Sequence, residues 1–255
     1  MKLILDCTEG TLAIEDAGER RTLGMYTKEA FELLSHQWVK LGWNQKYSHT
    51  FSWMGRPIIQ LSEDMVRIQE VIYCLKPDVI IETGVAHGGS LIFYASLCKV
   101  MGQGRVIGID TEIRPHNRKA LEAHELFPYL TLLEGSSIAP EIMEQVKTKV
   151  KPNEFVLVVL DSCHTKQHVM QELECYAPLV APGSYVVATD GIMRDLWDVP
   201  RGKSEWKWDN PIAAAEEFVV RHPEFVIEEP EWPFNESHLT RSVTHWPGAY
   251  LRRKY

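Results

Sequence analysis

The run Phe155-Val156-Leu157-Val158-Val159-Leu160 constrains the fold more than any other feature of this chain. A strand with one wet face alternates apolar and polar residues. This run does not alternate, so it belongs in a sheet covered on both faces. It is far too short to span a membrane, which takes about 20 apolar residues. Shorter apolar runs at 79–82, 105–110, 129–133, 184–188, 225–227 and 249–251 accompany it. Helical patterns at 90–100, 114–126, 139–150, 167–176 and 211–221 fall among them. Strand–helix alternation at this spacing predicts an α/β domain with a doubly wound, mostly parallel sheet of seven strands.

That regular text begins near residue 79. The chain's 255 residues hold one such domain, 79–255, and an N-terminal extension, 1–78. In the extension, residues 2–5 and 11–14 read as a hairpin around Glu9-Gly10. Thr27 caps a helix with Ala30, Phe31, Leu34, Trp38 and Leu41 at helical spacing. Ser62 is the expected cap of a second helix, which Pro77 ends near Leu75. Trp43, Tyr47 and Trp53 lie between the helices, placed to stack on a ligand ring or to pack as core; packing is the expectation. The segment 195–208, with Trp197, Trp206 and Trp208, reads as a long loop, a lid or a solvent-exposed tether.

Formal charge excludes some classes of partner. Lys and Arg number 27 against 35 Asp and Glu, a net −8. A phosphate-tracking protein needs a basic face, so nucleic acid is not an expected partner. The five cysteines have no Cys-x-x-Cys spacing, which suits reduced thiols and a cytoplasmic protein. Asp6 interrupts the first apolar run, so neither a secretory signal nor an integral membrane segment is expected.

In a doubly wound sheet, ligands bind beyond the carboxyl ends of the strands. The first strand runs into Glu82-Thr83-Gly84-Val85-Ala86-His87-Gly88-Gly89-Ser90, where glycines permit a sharp turn and close approach to a ligand. Its spacing, Gly84-x-x-x-Gly88, is not the Gly-x-Gly-x-x-Gly of dinucleotide enzymes. Asp110 ends the second strand, where a carboxylate can accept both hydroxyls of a ribose. Ser136 and Ser137 follow the third strand; Ser137 either faces a nucleobase or caps the next helix. Asp161-Ser162-Cys163-His164 and Thr189-Asp190-Gly191 follow the fourth and fifth. Asp161 and Asp190 together could hold a hard divalent cation. His164 is a candidate general base or a packing residue. His168 reads as a helix-surface residue and Cys163 as an inert thiol.

From about Trp38 to Arg253 the chain resembles the cephalosporin hydroxylase / rhamnosyl O-methyltransferase family, class I methyltransferases that use S-adenosylmethionine (SAM). The resemblance rests on Gly55-x-Pro57, Ile80-Ile81-Glu82-Thr83-Gly84-x-Ala86-His87-Gly88-Gly89-Ser90, Gly135-Ser136-Ser137 and Leu160-Asp161-Ser162-x-His164. It continues in Tyr176-Ala177-Pro178-Leu179-Val180, Pro182-Gly183-Ser184-Tyr185, Asn210-Pro211, Phe218, His222-Pro223 and Gly248-Ala249-Tyr250-Leu251. It implies a Rossmann-like sheet, bound SAM, often a magnesium-type ion (Mg2+), homo-oligomers, and methyl transfer to a hydroxyl of a sugar, glycan, glycolipid or natural product. It further implies that Glu82, Gly84, His87, Gly88, Ser90, Asp110, Ser136 and Asp161 face the cofactor. Asp161, His164 and Asp190 would then lie on the acceptor side. Two positions depart from the family pattern: Cys163 stands where an acid is usual, and Thr189-Asp190 where Glu-Asp is usual. The alternatives are a degenerate, non-catalytic methyltransferase-fold subunit and an NAD-dependent oxidoreductase.

Overall fold

A computed structural model describes residues 1–255. The chain opens with an antiparallel three-stranded sheet, β1 (Lys2–Asp6), β2 (Thr11–Asp16) and β3 (Glu19–Gly24). The sequence pattern anticipates the first two strands. The third is almost entirely polar and has no alternation to betray it. Helix α1 (Lys28–Asn44) starts at Thr27, whose hydroxyl accepts from the Ala30 amide. A short hairpin follows, β4 (Phe51–Trp53) and β5 (Arg56–Ile58). Met54 and Gly55 turn it with φ of 44° and 85°, the left-handed pair that a two-residue hairpin requires. Helix α2 (Ser62–Leu75) has Leu61, not Ser62, at its cap position. Ser62 is instead the first helical residue, its hydroxyl donates to the adjacent Glu63 carboxylate, and it accepts from no helix amide.

The main domain then alternates: β6 (Val79–Thr83), α3 (Gly89–Met101), β7 (Arg105–Asp110), α4 (Pro115–Glu122), β8 (Leu130–Glu134), α5 (Pro140–Lys149), β9 (Val156–Leu160), α6 (Lys166–Tyr176), β10 (Tyr185–Ala188), α7 (Pro211–Arg221), β11 (Phe225–Ile227) and β12 (Tyr250–Arg253). The strand order is β11-β12-β10-β9-β6-β7-β8. Strands β8, β7, β6, β9 and β10 are parallel; β12 and β11 add antiparallel pairings. Every residue of β6 and β9 is buried. Alternate side chains feed two cores, one on each sheet face. Ile80, Leu157 and Val187 pack with α2 and α3. Ile81, Val158 and Val186 pack with α5, α6 and α7. Strand order reverses between β6 and β9, which opens a crevice at their carboxyl ends. No helix is long and apolar enough to cross a membrane.

Trp43 and Trp53 pack against the protein as expected, whereas Tyr47 is exposed. Trp53 stacks edge-on with Phe93 and donates to Ser96 Oγ at 3.1 Å. Trp43 meets Trp206 edge-on at 5.3 Å. The segment 195–208 is not a solvent-exposed tether. It folds onto α1 through Lys40–Asp198 at 2.7 Å, His36–Asp195 at 3.2 Å and the Arg201 guanidinium over Trp43. Leu196, within the segment, is fully buried against Val39 and Ile192.

Candidate functional site

The glycine turn between β6 and α3 is the best-braced loop in the crevice. Asp110, at the end of β7, accepts through Oδ2 from the amides of Val85 (2.9 Å) and Ala86 (3.1 Å). Asn117 Nδ2 donates to the Ala86 carbonyl, and Arg56 donates to the His87 carbonyl from Nε and Nη2. Arg56 Nη2 also reaches Asn117 Oδ1 at 2.9 Å, closing a ring of polar contacts around the turn. The glycines serve the protein's own packing here. A Cβ on Gly84 (φ +93°) would lie 2.1 Å from the Asp161 carbonyl oxygen. One on Gly88 (φ +79°) would lie 2.6 Å from Leu121, and one on Gly89 2.2 Å from the Pro57 carbonyl oxygen. Close approach is therefore required as expected, but the approaching atoms belong to β9, α4 and β5.

Beneath this turn lies a small cavity of about 40 Å³, lined by residues 57–60, 84–87, Gly89, Ser90 and Asp161. Glu82 is fully buried and accepts from Ser90 Oγ at 2.7 Å through one oxygen only. Its other oxygen has no partner, and neither do both amide atoms of Gln60 or the Tyr94 hydroxyl. Such orphaned polar atoms are costly unless something satisfies them. Burial holds the Glu82 carboxyl well above the ordinary carboxylate range, and the charge of Asp161 adds to the shift. The free amides at the start of α3 favour a negative group. Carboxylates for an ammonium, and an amide side chain with a helix start for a carboxylate, suit the amino-acid end of SAM. The chemistry fits, but the volume holds little more than one water. Admitting that end requires residues 57–60 to move outward.

On the far side of the crevice, Asp161, His164 and Asp190 each offer a ligand atom within 4.8 Å of the others. His164 Nε2 lies 3.5 Å from Asp190 Oδ2, an ion-pair distance rather than a good hydrogen bond. Thr189 is fully buried; its hydroxyl is 2.6 Å from Asp161 Oδ1 and 2.9 Å from the Leu160 carbonyl oxygen. The Asp161 carboxyl is enclosed on most sides and pushed up to about 7, first by desolvation and then by the Asp190 charge. A divalent cation between the two carboxylates would relieve that repulsion, so this donor set fits one. Cys163 is exposed, and its Sγ sits beside Thr165 Oγ1 at 3.7 Å, outside the cluster.

The crevice thus brings together Glu82, Gly84, His87, Gly88, Ser90, Asp110, Asp161, His164 and Asp190. Ser136 is half-buried beyond β8, next to the crevice mouth. Ser137 does not cap α5, whose cap position is Ala139. It is buried, with Oγ 3.4 Å from His168 Nε2. His168 is correspondingly not a surface histidine but part of a half-buried network with Ser162 and Glu172. Sequence reasoning also passed over Arg56, Gln60, Asp64 and Asn117. Asp64 is buried and accepts from the Thr244 hydroxyl and the His245 amide, fastening α2 to the chain before β12. The polar start of α2 and an Arg beside Gly55 were visible, but their partners lie 31 to 181 residues away.

Known proteins match the fold and the family. The family described as rhamnosyl O-methyltransferase/CmcI matches residues 45–254. A rhamnosyl O-methyltransferase of Mycobacterium leprae (strain TN) is 31% identical over 172 residues, 65% of this chain and 70% of that protein. One from Mycobacterium tuberculosis (strain ATCC 25618 / H37Rv) is 31% identical over 162 residues, 61% of each chain. Among solved structures, a CmcI-N160 apo-structure aligns with TM-score 0.54 at 18% identity, over 81% of this chain and 77% of that one. A putative caffeoyl-CoA O-methyltransferase from Staphylococcus aureus aligns with TM-score 0.53 at 18% identity, over 78% and 90%. With its family match covering all of the crevice loops, the chain belongs to the rhamnosyl O-methyltransferase/CmcI family.

Proposed function

We propose that this protein is a SAM-dependent O-methyltransferase whose acceptor is a hydroxyl of a sugar, glycan, glycolipid or natural product. The observation that carries the reading is the pairing, across one switch-point crevice, of a braced glycine turn with the Asp161–His164–Asp190 cluster. The family match and the rhamnosyl O-methyltransferase relatives support a sugar hydroxyl.

Bound SAM would supply an electrophilic methyl group. The chain's task is to orient the acceptor oxygen and remove its proton. Glu82, Gln60 and the start of α3 hold the amino-acid end. Asp110 fixes the turn through Val85 and Ala86, and its Oδ1, held only by long 3.3 Å contacts from Thr111 and Glu112, would accept from the ribose hydroxyls in their place. Ser136 sits toward the adenine. His164 takes the acceptor proton at Nε2, and Asp190 stabilises the imidazolium that forms. A divalent cation, where present, would be held by Asp161 and Asp190 and would make a bound hydroxyl more acidic. Thr189 and Cys163 add no carboxylate, so the protein contributes few ligands to it and water supplies the rest. Residues 57–60 of the extension cover the cofactor's amino-acid end, and the protein works as a homo-oligomer, which light scattering tests.

Isothermal titration with S-adenosylhomocysteine (SAH), the demethylated product, tests the reading. Binding at about micromolar affinity is expected, in the usual range for enzyme ligands. The tightness of the 40 Å³ cavity favours one rival, a non-catalytic scaffold, and absence of SAH binding would establish it over the enzyme.

A further inference from the structure

Behind the crevice, on the face covered by α5 and α6, lies a polar network the proposed chemistry does not use. Glu172 of α6 is fully buried, and one of its carboxylate oxygens has no partner. Its other oxygen accepts from Ser162 Oγ at 2.7 Å. His168, one turn earlier on α6, places Nε2 3.2 Å from Ser162 Oγ, 3.4 Å from Glu172 Oε1 and 3.4 Å from Ser137 Oγ. The Ser162 hydroxyl has a single hydrogen, spent on Glu172, so its oxygen is left to accept from a protonated Nε2, whose one hydrogen Ser162 and Glu172 share. The Glu172 hydrogen bond accordingly raises His168 above an ordinary imidazole. From below, the Tyr176 hydroxyl donates to the Ser137 carbonyl at 2.8 Å.

The two ends of this network are the two walls of the crevice. Ser137 belongs to the loop after β8, beside Ser136. Ser162 follows Asp161 directly and lies two residues before His164. A buried carboxylate whose nearest cation is one histidine is expensive, and an apolar side chain of similar volume often stabilises a fold at such a place. Stability therefore does not account for Glu172.

We propose that Glu172 and His168 are positioning residues that lock the loop 135–137 to the loop 161–164, and so fix the adenosine side of the crevice against its acceptor side. This rests on the SAM reading above for its consequence, though not for its geometry. Neither residue touches the cofactor or the acceptor; both act through Ser137 and Ser162.

The test compares Glu172→Met, His168→Leu and His168→Gln with the parent protein. Thermal melting should show Glu172→Met as stable as the parent or more so. Its SAH affinity should nevertheless fall by about tenfold or more, the effect of losing a hydrogen bond to a charged group. His168→Leu should fall likewise. His168→Gln can still donate to Glu172 and should stay within about threefold of the parent. Hydrogen exchange on ligand-free protein should quicken in peptides covering 134–139 and 160–165 together in Glu172→Met. Unchanged exchange in either loop would overturn the lock whether or not SAH binds. So would a Glu172→Met variant that binds SAH like the parent, or a Gln variant no better than Leu. If the parent itself fails to bind SAH, the cofactor reading falls, and the exchange result still decides the lock.

Discussion

Replacing Gly84 by alanine probes the closest contact in the crevice. Its φ of +93° costs an L-residue about 1–2 kcal/mol. The new Cβ would lie 2.1 Å from the Asp161 carbonyl oxygen and 2.7 Å from its carbon. Both are backbone atoms, so no rotamer change relieves the clash, and forced repacking of this kind costs about 1–3 kcal/mol more. The total is about 2–5 kcal/mol, which in a chain of this size lowers Tm by about 4–20 °C. Gly55→Ala is the matched control: its φ is +85°, yet nothing lies within 4 Å of the added atom. It carries the strain without the clash. Differential scanning fluorimetry of both variants isolates the contact, and SAH titration of the folded fraction reports whether the turn and Asp161 have separated. If Gly84→Ala loses no more stability than Gly55→Ala, the turn does not press on β9, and the geometry argued for the cofactor wall is wrong.

Asp110→Ala removes the acceptor for the Val85 and Ala86 amides; SAH affinity should fall by about tenfold or more, and unchanged affinity excludes Asp110 from the cofactor site. Asp64 makes stability pH-dependent, because burial pushes its carboxyl up to about 8. The unfolded chain releases that proton near pH 4, so stability present in acid declines as pH rises from about 4 to about 8. Asp64→Asn should flatten the Tm profile over that window, and parallel profiles for the two proteins would contradict the assignment. Magnesium or manganese at 100 times its Kd should stabilise the parent by about 2.7 kcal/mol. Chelator should reverse this, and Asp190→Asn should abolish it; a thermal shift that survives in Asp190→Asn places the ion elsewhere.

The central sheet was legible because burial on both faces writes itself into adjacent residues. Val156–Leu160 and Arg105–Asp110 needed no partner to be recognised. The crevice loops followed from the sheet, since strand ends locate ligands before any side chain is considered. Strand β3 was illegible for the converse reason: Glu19, Arg20, Arg21 and Thr22 are exposed, and only pairing with β2 makes them a strand. The cap, one of two readings of Ser137, and the surface position of His168 both fail because α6 crosses beneath the loop after β8, a contact between residues 31 apart. A cap and a surface histidine are what local spacing alone suggests for those residue types.

What local spacing could not reveal is how the crevice manages charge. Glu82, Asp110, Asp161 and Asp190 stand at or just beyond the carboxyl ends of four parallel strands, β6, β7, β9 and β10, and Glu172 lies on α6 beneath them. Asp110 is relieved by two backbone amides and Glu172 by Ser162 and His168. Glu82 has Ser90 and Asp161 has Thr189 as a hydroxyl partner, yet burial still forces both carboxyls upward. Asp161 lines the small cavity by the Gly84 turn, and Glu82 is joined to it through Ser90. Two acids held there by single hydroxyl partners suit positive charge: the ammonium and sulfonium of a methyl donor, a divalent ion, or both. Stability at neutral pH is the cost of that arrangement, and bound cationic ligand is what would restore it.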